Sequence, residues 1–496
     1  MSELPIGWIE TELGNITEVQ SGVGFPKKYQ GVIDAEYPVY KVGDLSKAFV
    51  HSSGLLSKSD NYVSLDTLLL MKGKTFEVGS TLFAKIGEAL KLNRRVIVER
   101  PGIADNNVMG VKAFYNEADK YVYRYLQYFD VASLSRSTTV PSIRKSDVEE
   151  ITIPLPPLNE QIRIANKLDS ILAKVDKAQA RLDKIPAILK RFRQSVLAAA
   201  TSGELTKEWR AENPSATSNS ILDELSSFKF DARTKKLVDK EIRPDEMSND
   251  LPSGWKWVRL CGITDVVSGV AKGSKTKEET VSLPYLRVAN VQRGYLDLSE
   301  VKYIDVAQSK GENLKLEKGD VLFNEGGDID KLGRGWVWEG QIEDCIHQNH
   351  VFRARILSNK IQPKYLSFYG NESARDYFLR EGTQTVNLAN LNKTTLSLLP
   401  VPLPPEEEQV EIVRQVDRLF NKANKLEKQY LDAKARLDRL TQSILAKAFR
   451  GELVPQDPND EPAEKLLERI VAEKEQSNAK KTTRKRATKA KTAEKE

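Results

Sequence analysis

The sequence repeats itself at long range, and that duplication limits the possible folds more than any local pattern does. LPIGW at 4–8 is answered by LPSGW at 251–255, and VQSGVG at 19–24 by VVSGVA at 266–271. VGSTLFAKIGEALKLNR at 78–94 is answered by KGDVLFNEGGDIDKLGR at 318–334, and PLPPLNEQ at 154–161 by PLPPEEEQ at 402–409. QSVLAAATSGEL at 194–205 is answered by QSILAKAFRGEL at 442–453. The order never changes, so the 496 residues are one unit of roughly 247 residues written twice.

Each copy ends in a helical pattern. After the first proline pair, steps of four and three from Ile164 meet Leu168, Ile171, Val175, Ala178, Leu182, Ile185, Leu189, Phe192 and Val196. The second copy offers Ile412, Val416, Leu419, Ala423, Leu426, Tyr430, Ala433, Leu437, Leu440 and Ile444. Apolar residues at every step make a heptad seam, with charged residues between, and predict a coiled coil. Consecutive prolines force an extended approach to each helix, acids such as Glu160 and Glu406 favour its N-terminus, and Gly203 and Gly451 mark its end. Pro186 is expected to kink or interrupt the first helix; the second has Lys434 there. Antiparallel pairing of the two seams would relate the copies by a pseudo-twofold axis. It would set their globular parts apart along a rod of about 50 Å.

The globular parts carry short β-branched and aromatic runs, YPVYKV, RRVIV, LPYLRVANV and GWVWEG among them, broken by Gly, Asn and Asp. The expected class is α+β: two mixed α/β domains joined by two long helices in an antiparallel coiled coil. Residues 1–153 form the first globular domain, 154–206 its helical region, and 207–250 a linker. Residues 251–400 form the second domain, 401–455 its helical region, and 456–496 a C-terminal helix with a basic tail. In that tail, KKTTRKRATKAK at 480–491 has seven basic residues and no acid, a composition that predicts disorder and suits either loose contact with phosphates or plain solvation. LPxGW is expected to turn Trp8 or Trp255 into a core. No run of apolar residues reaches membrane-spanning length, and two cysteines suit a reducing cytoplasm. A net charge of +6 only mildly favours a polyanionic partner.

No catalytic set stands out. CIHQNH holds Cys345, His347 and His350, but no further ligand cluster accompanies them and the first copy lacks the match. GVAKGSK at 269–275 has the wrong spacing for a phosphate loop, and no Asn-Pro-Pro-aromatic signature of amino-methyltransferases is present. What recurs in both copies is polar loop chemistry suited to DNA. The first offers Lys41, Lys85, Lys91, Arg94, Arg95, Asn106, Asn107 and Arg144. The second offers Arg287, Asn290, Asn324, Lys331, Arg334, Gln348, Asn349, Gln384 and Asn387. Arg and Lys bond guanine edges, Asn and Gln bond adenine edges, and any of them holds phosphates. The amides serve equally well as buried stitches between loops.

At IPLPPLNEQIRIANKLDSILAKVD, IPAILKRFRQSVLAAATSGELT, PLPPEEEQVEIVRQVDRLF and LTQSILAKAFRGEL the chain resembles the DNA-specificity subunit of type I restriction–modification enzymes, enterobacterial branch. The resemblance covers nearly the whole length. It implies that the globular parts are target-recognition domains, each reading half of a split double-stranded DNA site, with the helices as a ruler between the halves. It also implies two partners: paired modification subunits that methylate adenine with S-adenosylmethionine, and restriction subunits that use ATP and Mg. The chain itself would hold no cofactor and catalyse nothing. The alternatives are a divergent DNA methyltransferase or a coiled-coil scaffold that reads no sequence.

Overall fold

The computed structural model describes residues 4–135, 137, 139–247, 250–273, 278–327, 332–384 and 389–476. The chain divides into two compact units: Met1–Asp183 with Asp432–Glu496, and Lys184–Leu431. Both boundaries fall inside the helical regions. Each unit therefore takes one globular domain and part of both helical regions, a division that the order of segments along the sequence does not suggest.

In the first unit the chain opens with Ile9–Glu12, which pairs antiparallel with Thr152–Leu155 and so closes the domain where it began. A five-stranded sheet follows, in the order Thr17–Ser21, Val108–Ala113, Thr81–Ala84, Val96–Val98, Leu55–Leu56. A second sheet joins Tyr62–Val63, Tyr37–Tyr40 and Ile103–Ala104. The second unit repeats the plan. Lys256–Arg259 pairs with Pro400–Leu403. A four-stranded sheet runs Thr264–Ser268, Val351–Ile356, Val321–Asn324, Gly335–Val337. A three-stranded sheet joins Lys302–Ala307, Thr280–Leu286 and Ile346–His347. Both domains are mixed α/β.

The helical regions follow the seam in outline. The first is two helices, Leu158–Leu182 and Ile185–Thr201, interrupted just before Pro186, where a ring without N–H cannot continue the hydrogen-bond ladder. The second is one helix, Glu406–Phe449. In the first unit Ile164, Leu168 and Leu172 share a core with Leu445, Ala448 and Phe449, while Asp183 and Lys434 lie 3.8 Å apart further along. In the second unit Arg193 bonds Asn424 at 2.9 Å and Glu427 at 2.7 Å, while Val196 and Ala200 pack with Ile412 and Val416. Within each unit the helical segments therefore run antiparallel. The strict heptad series is not the buried line throughout: Leu426 is 54% exposed and Leu440 46%, whereas Leu172 and Leu445 are buried. An unsupercoiled helix drifts about 20° per heptad, so a series stepped at 3.5 residues leaves the buried face. Gly203 and Gly451 end the helices in the left-handed region, at φ 80° and 77°.

The segments after the helices are structural. Residues 207–250, expected as a linker, form the helices Lys207–Glu212, Asn219–Ser226 and Ala232–Val238, with Ile221 and Leu225 in the core of the second domain. Residues 463–476 form the matching C-terminal helix, with Ala463, Leu466 and Ile470 in the core of the first. The docking is the same in both. Ser218 N–H donates to Gly254 O at 2.9 Å, and Ala463 N–H donates to Gly7 O at 3.0 Å. Trp8 and Trp255 are buried beside these junctions as expected. The basic segment 480–491 lies outside the described residues.

Candidate nucleic-acid interface

At one end of the first domain's sheets, five stretches of chain meet through their backbones. Gly22 and Val23 donate to Val108 O and Ala104 O, both at 2.9 Å. Gly22 is required there: a Cβ on it would lie 1.9 Å from Asp105 O. Asp105 N–H donates to Tyr40 O at 3.0 Å, Lys85 N–H to Asn107 O at 2.8 Å, and Ile143 N–H to Lys85 O at 3.2 Å. These bonds gather Lys41, Lys85, Asn106, Asn107 and Arg144. Asn106 and Arg144 are exposed; Lys41, Lys85 and Asn107 are half-buried. Lys41 Nζ lies 5.0 Å from the Phe25 ring centre and donates to Gln30 Oε1 at 3.0 Å. Asp105 anchors the turn by accepting from Asn107 N–H at 3.0 Å. Burial holds its carboxyl above the usual range, although the bonds from Asn107 and the charge of Lys41 pull the other way.

The second domain builds the same junction. Val270 N–H donates to His347 O at 2.8 Å, Gln348 N–H to Leu286 O at 2.9 Å, Glu325 N–H to His350 O at 2.9 Å and Leu391 N–H to Glu325 O at 2.6 Å. Gly269 faces the same restriction as Gly22, with a Cβ placed 2.0 Å from His347 O. Matching bonds make Lys41 equivalent to Arg287, Lys85 to Glu325, Asn106 to Asn349, Asn107 to His350 and Asp105 to Gln348. Gln348 and Asn349 are half-buried, and His350 is exposed.

Several expected contacts are elsewhere or otherwise engaged. Arg95 is 1% exposed, its guanidinium donating to Leu126 O and Arg94 O and to the Asn93 side chain. Burial lowers it to about 9, which leaves it charged at neutral pH but shut away from any DNA. Asn290 and Asn324 are also buried. The first accepts from Arg287 N–H and donates to Asp297 O and Glu300 O, and the second donates to Val291 O at 2.8 Å. These three are stitches, because a buried donor costs free energy unless an acceptor meets it. Arg334 donates to Val288 O at 3.1 Å. Lys91 pairs with Glu88, and Arg94 lies over Phe49. Gln384 belongs to the short strand Thr383–Gln384; Lys331 and Asn387 lie outside the described residues. Glu325 and His350, which hydrogen-bond each other, were not singled out as DNA-facing by sequence; the alignment of VLFNEGG on TLFAKIG holds Glu325 against Lys85.

The Cys345, His347 and His350 side chains do not converge. Cys345 Sγ faces Ile346 O and burial pushes its thiol up to about 12. His347 Nδ1 donates to Val351 O at 2.6 Å, and His350 turns to Glu325. Among the described residues no group of three His, Cys, Asp or Glu side chains is arranged to hold a metal ion. No helix among them is long and apolar enough to cross a membrane.

The family model for the type I restriction modification DNA specificity domain matches twice, at residues 5–187 and 252–433. The chain belongs to this family. It is 30% identical to the type I restriction enzyme EcoKI specificity subunit of Escherichia coli K12, over 98% of this chain and 99% of that one. It is 30% identical to the StySPI specificity subunit of Salmonella potsdam over the same shares. With the EcoDI specificity subunit of Escherichia coli it shares 35% identity over 71% of this chain and 75% of that one. In fold it is similar to a chain from a structure of the type I R-M system in complex assembly and conformational transition, with a TM-score of 0.63 and 20% identity. That match covers 91% of this chain and all of the other. As a member of the type I specificity subunits it is a non-catalytic, sequence-reading DNA-binding chain, and the enzyme and scaffold alternatives are not favoured.

Proposed function

We propose that each recognition domain of this specificity subunit reads one half of a split double-stranded DNA target through the loop junction at the end of its sheets. The observation that carries this is the junction itself: the same backbone bonds are made twice, and the side chains they present differ. A common scaffold with different readers suits two unlike half-sites, since base edges discriminate only through the groups offered to them. The helical regions hold two modification subunits and set the unspecified spacer. Restriction subunits complete the enzyme. S-adenosylmethionine, ATP and Mg belong to those partners, and this chain supplies position and sequence choice in the cytoplasm. Mapping N6-methyladenine across the genome of cells with and without this chain tests the reading. It predicts that one split motif loses methylation when the chain is removed; an unchanged methylation map contradicts it.

A further inference from the structure

The two junctions differ most sharply at one matched pair. In the first domain the sheet's last paired residues are Ala84 and Val108, and just beyond them lie Lys85 and Asn107. In the second domain Asn324 and Val351 end the ladder, and just beyond lie Glu325 and His350. A cation and an amide are thus replaced by a carboxylate and an imidazole. The Glu325 backbone is already fixed on both sides, its N–H to His350 O and its carbonyl from Leu391 N–H, so the loop does not need the side chain to hold its course. Even so, the Glu325 carboxylate accepts from His350 Nδ1, with the side chains 27% and 53% exposed.

A carboxylate in a DNA-facing junction is repelled by phosphates and so does not serve as a backbone anchor. It does suit a base that offers a donor. In the major groove those donors are the exocyclic amines of cytosine and adenine, and a carboxylate accepts readily from cytosine N4. His350 holds the carboxylate in one orientation. Its own Nε2 lies 3.4 Å from Asn349 Nδ2.

Granting the DNA-reading role proposed above, we infer that Glu325 is a specificity-determining residue of the second domain, accepting a hydrogen bond from an exocyclic base amine, with His350 as its positioning residue. The test uses the complex of the full chain with its modification subunits. Binding is measured to duplexes in which each base pair of the second half-site is replaced in turn. The wild-type complex should reject replacement of one cytosine or adenine by roughly 5- to 150-fold. Glu325→Ala should lose most of that rejection at this one position and keep the rest of the profile. His350→Asn, which installs the first domain's residue, should weaken the same position to a smaller degree. Where Glu325→Ala fails to assemble, His350→Asn carries the test alone. An unchanged profile, or a uniform loss of affinity for every duplex, overturns the assignment. A wild-type complex that discriminates at no position of the second half-site overturns the underlying reading instead.

Discussion

Glu160 and Glu408 occupy the same place after the two proline pairs, and each closes its unit by accepting from an indole. Trp8 Nε1 donates to Glu160 at 3.0 Å and Trp255 Nε1 to Glu408 at 2.7 Å. Their remaining partners differ. Glu408 also takes Thr206 Oγ1 at 2.7 Å and the Arg210 guanidinium, whereas Glu160 takes Gln456 Nε2 at 3.4 Å. Removing one member of a buried ion pair strands the other, so Glu408→Ala should destabilise the second unit by about 3–5 kcal/mol. Glu160→Ala, which strands no bonded cation among the described residues, should cost the first unit less; urea unfolding of both variants compares them. A second residue carries a pH signature. Burial pulls the His347 imidazole from 6.5 down to about 4, so the folded chain favours its neutral form. That contribution is complete above pH 6.5 and is lost as pH falls toward 4, on the order of 3 kcal/mol in all. Melts between pH 7 and 4 should show a steeper decline for the natural chain than for His347→Ala, which installs the residue found at matching position Ala104. The types of residue in the junctions were legible from the sequence, because they recur. Which of them face outward was not: Arg95, Asn290 and Asn324 have the composition of readers but sit where unpaired carbonyls must be met.

At the scale of elements, periodicity identified the long helices, and the ring of Pro186 placed their one break. It could not identify which apolar residues stay covered. Two helices bury a single stripe, and that stripe follows 3.6 residues per turn once supercoiling is weak. The C-terminal helix was expected, but the helices of 207–250 were not, and the docking of both segments was hidden for a different reason: their partners lie elsewhere in the sequence, as with Ala463 and Gly7 or Ser218 and Gly254. Only the three-dimensional closure shows that 456–476 completes the first domain. Tyr115 donates to Glu473 at 3.0 Å, Arg163 pairs with Asp460 at 2.7 Å, and Lys474 reaches Gly14 O and Asn15 O. Leu466→Ala should therefore destabilise the first unit by roughly 2–5 kcal/mol, the cost of a core cavity. Leu426→Ala, on an exposed stretch of the long helix, should cost much less. Thermal melting of the two variants side by side measures the difference, and equal shifts would mean that the C-terminal helix is not part of that core.

At the scale of the whole molecule, the duplication accounts for the family's double match and for the repeated plan of the two domains. Each domain closes on itself through a short antiparallel pair, Ile9–Glu12 with Thr152–Leu155 and Lys256–Arg259 with Pro400–Leu403. Each is therefore bounded at a point where a foreign domain of the same plan can be joined. The most direct measurement replaces residues 1–150 with the first domain of another specificity subunit and maps the methylated motif in cells that carry the modification partners. One domain reading one half-site predicts a motif in which a single half changes and the other half is retained. A hybrid whose motif changes in both halves, or in neither, contradicts it.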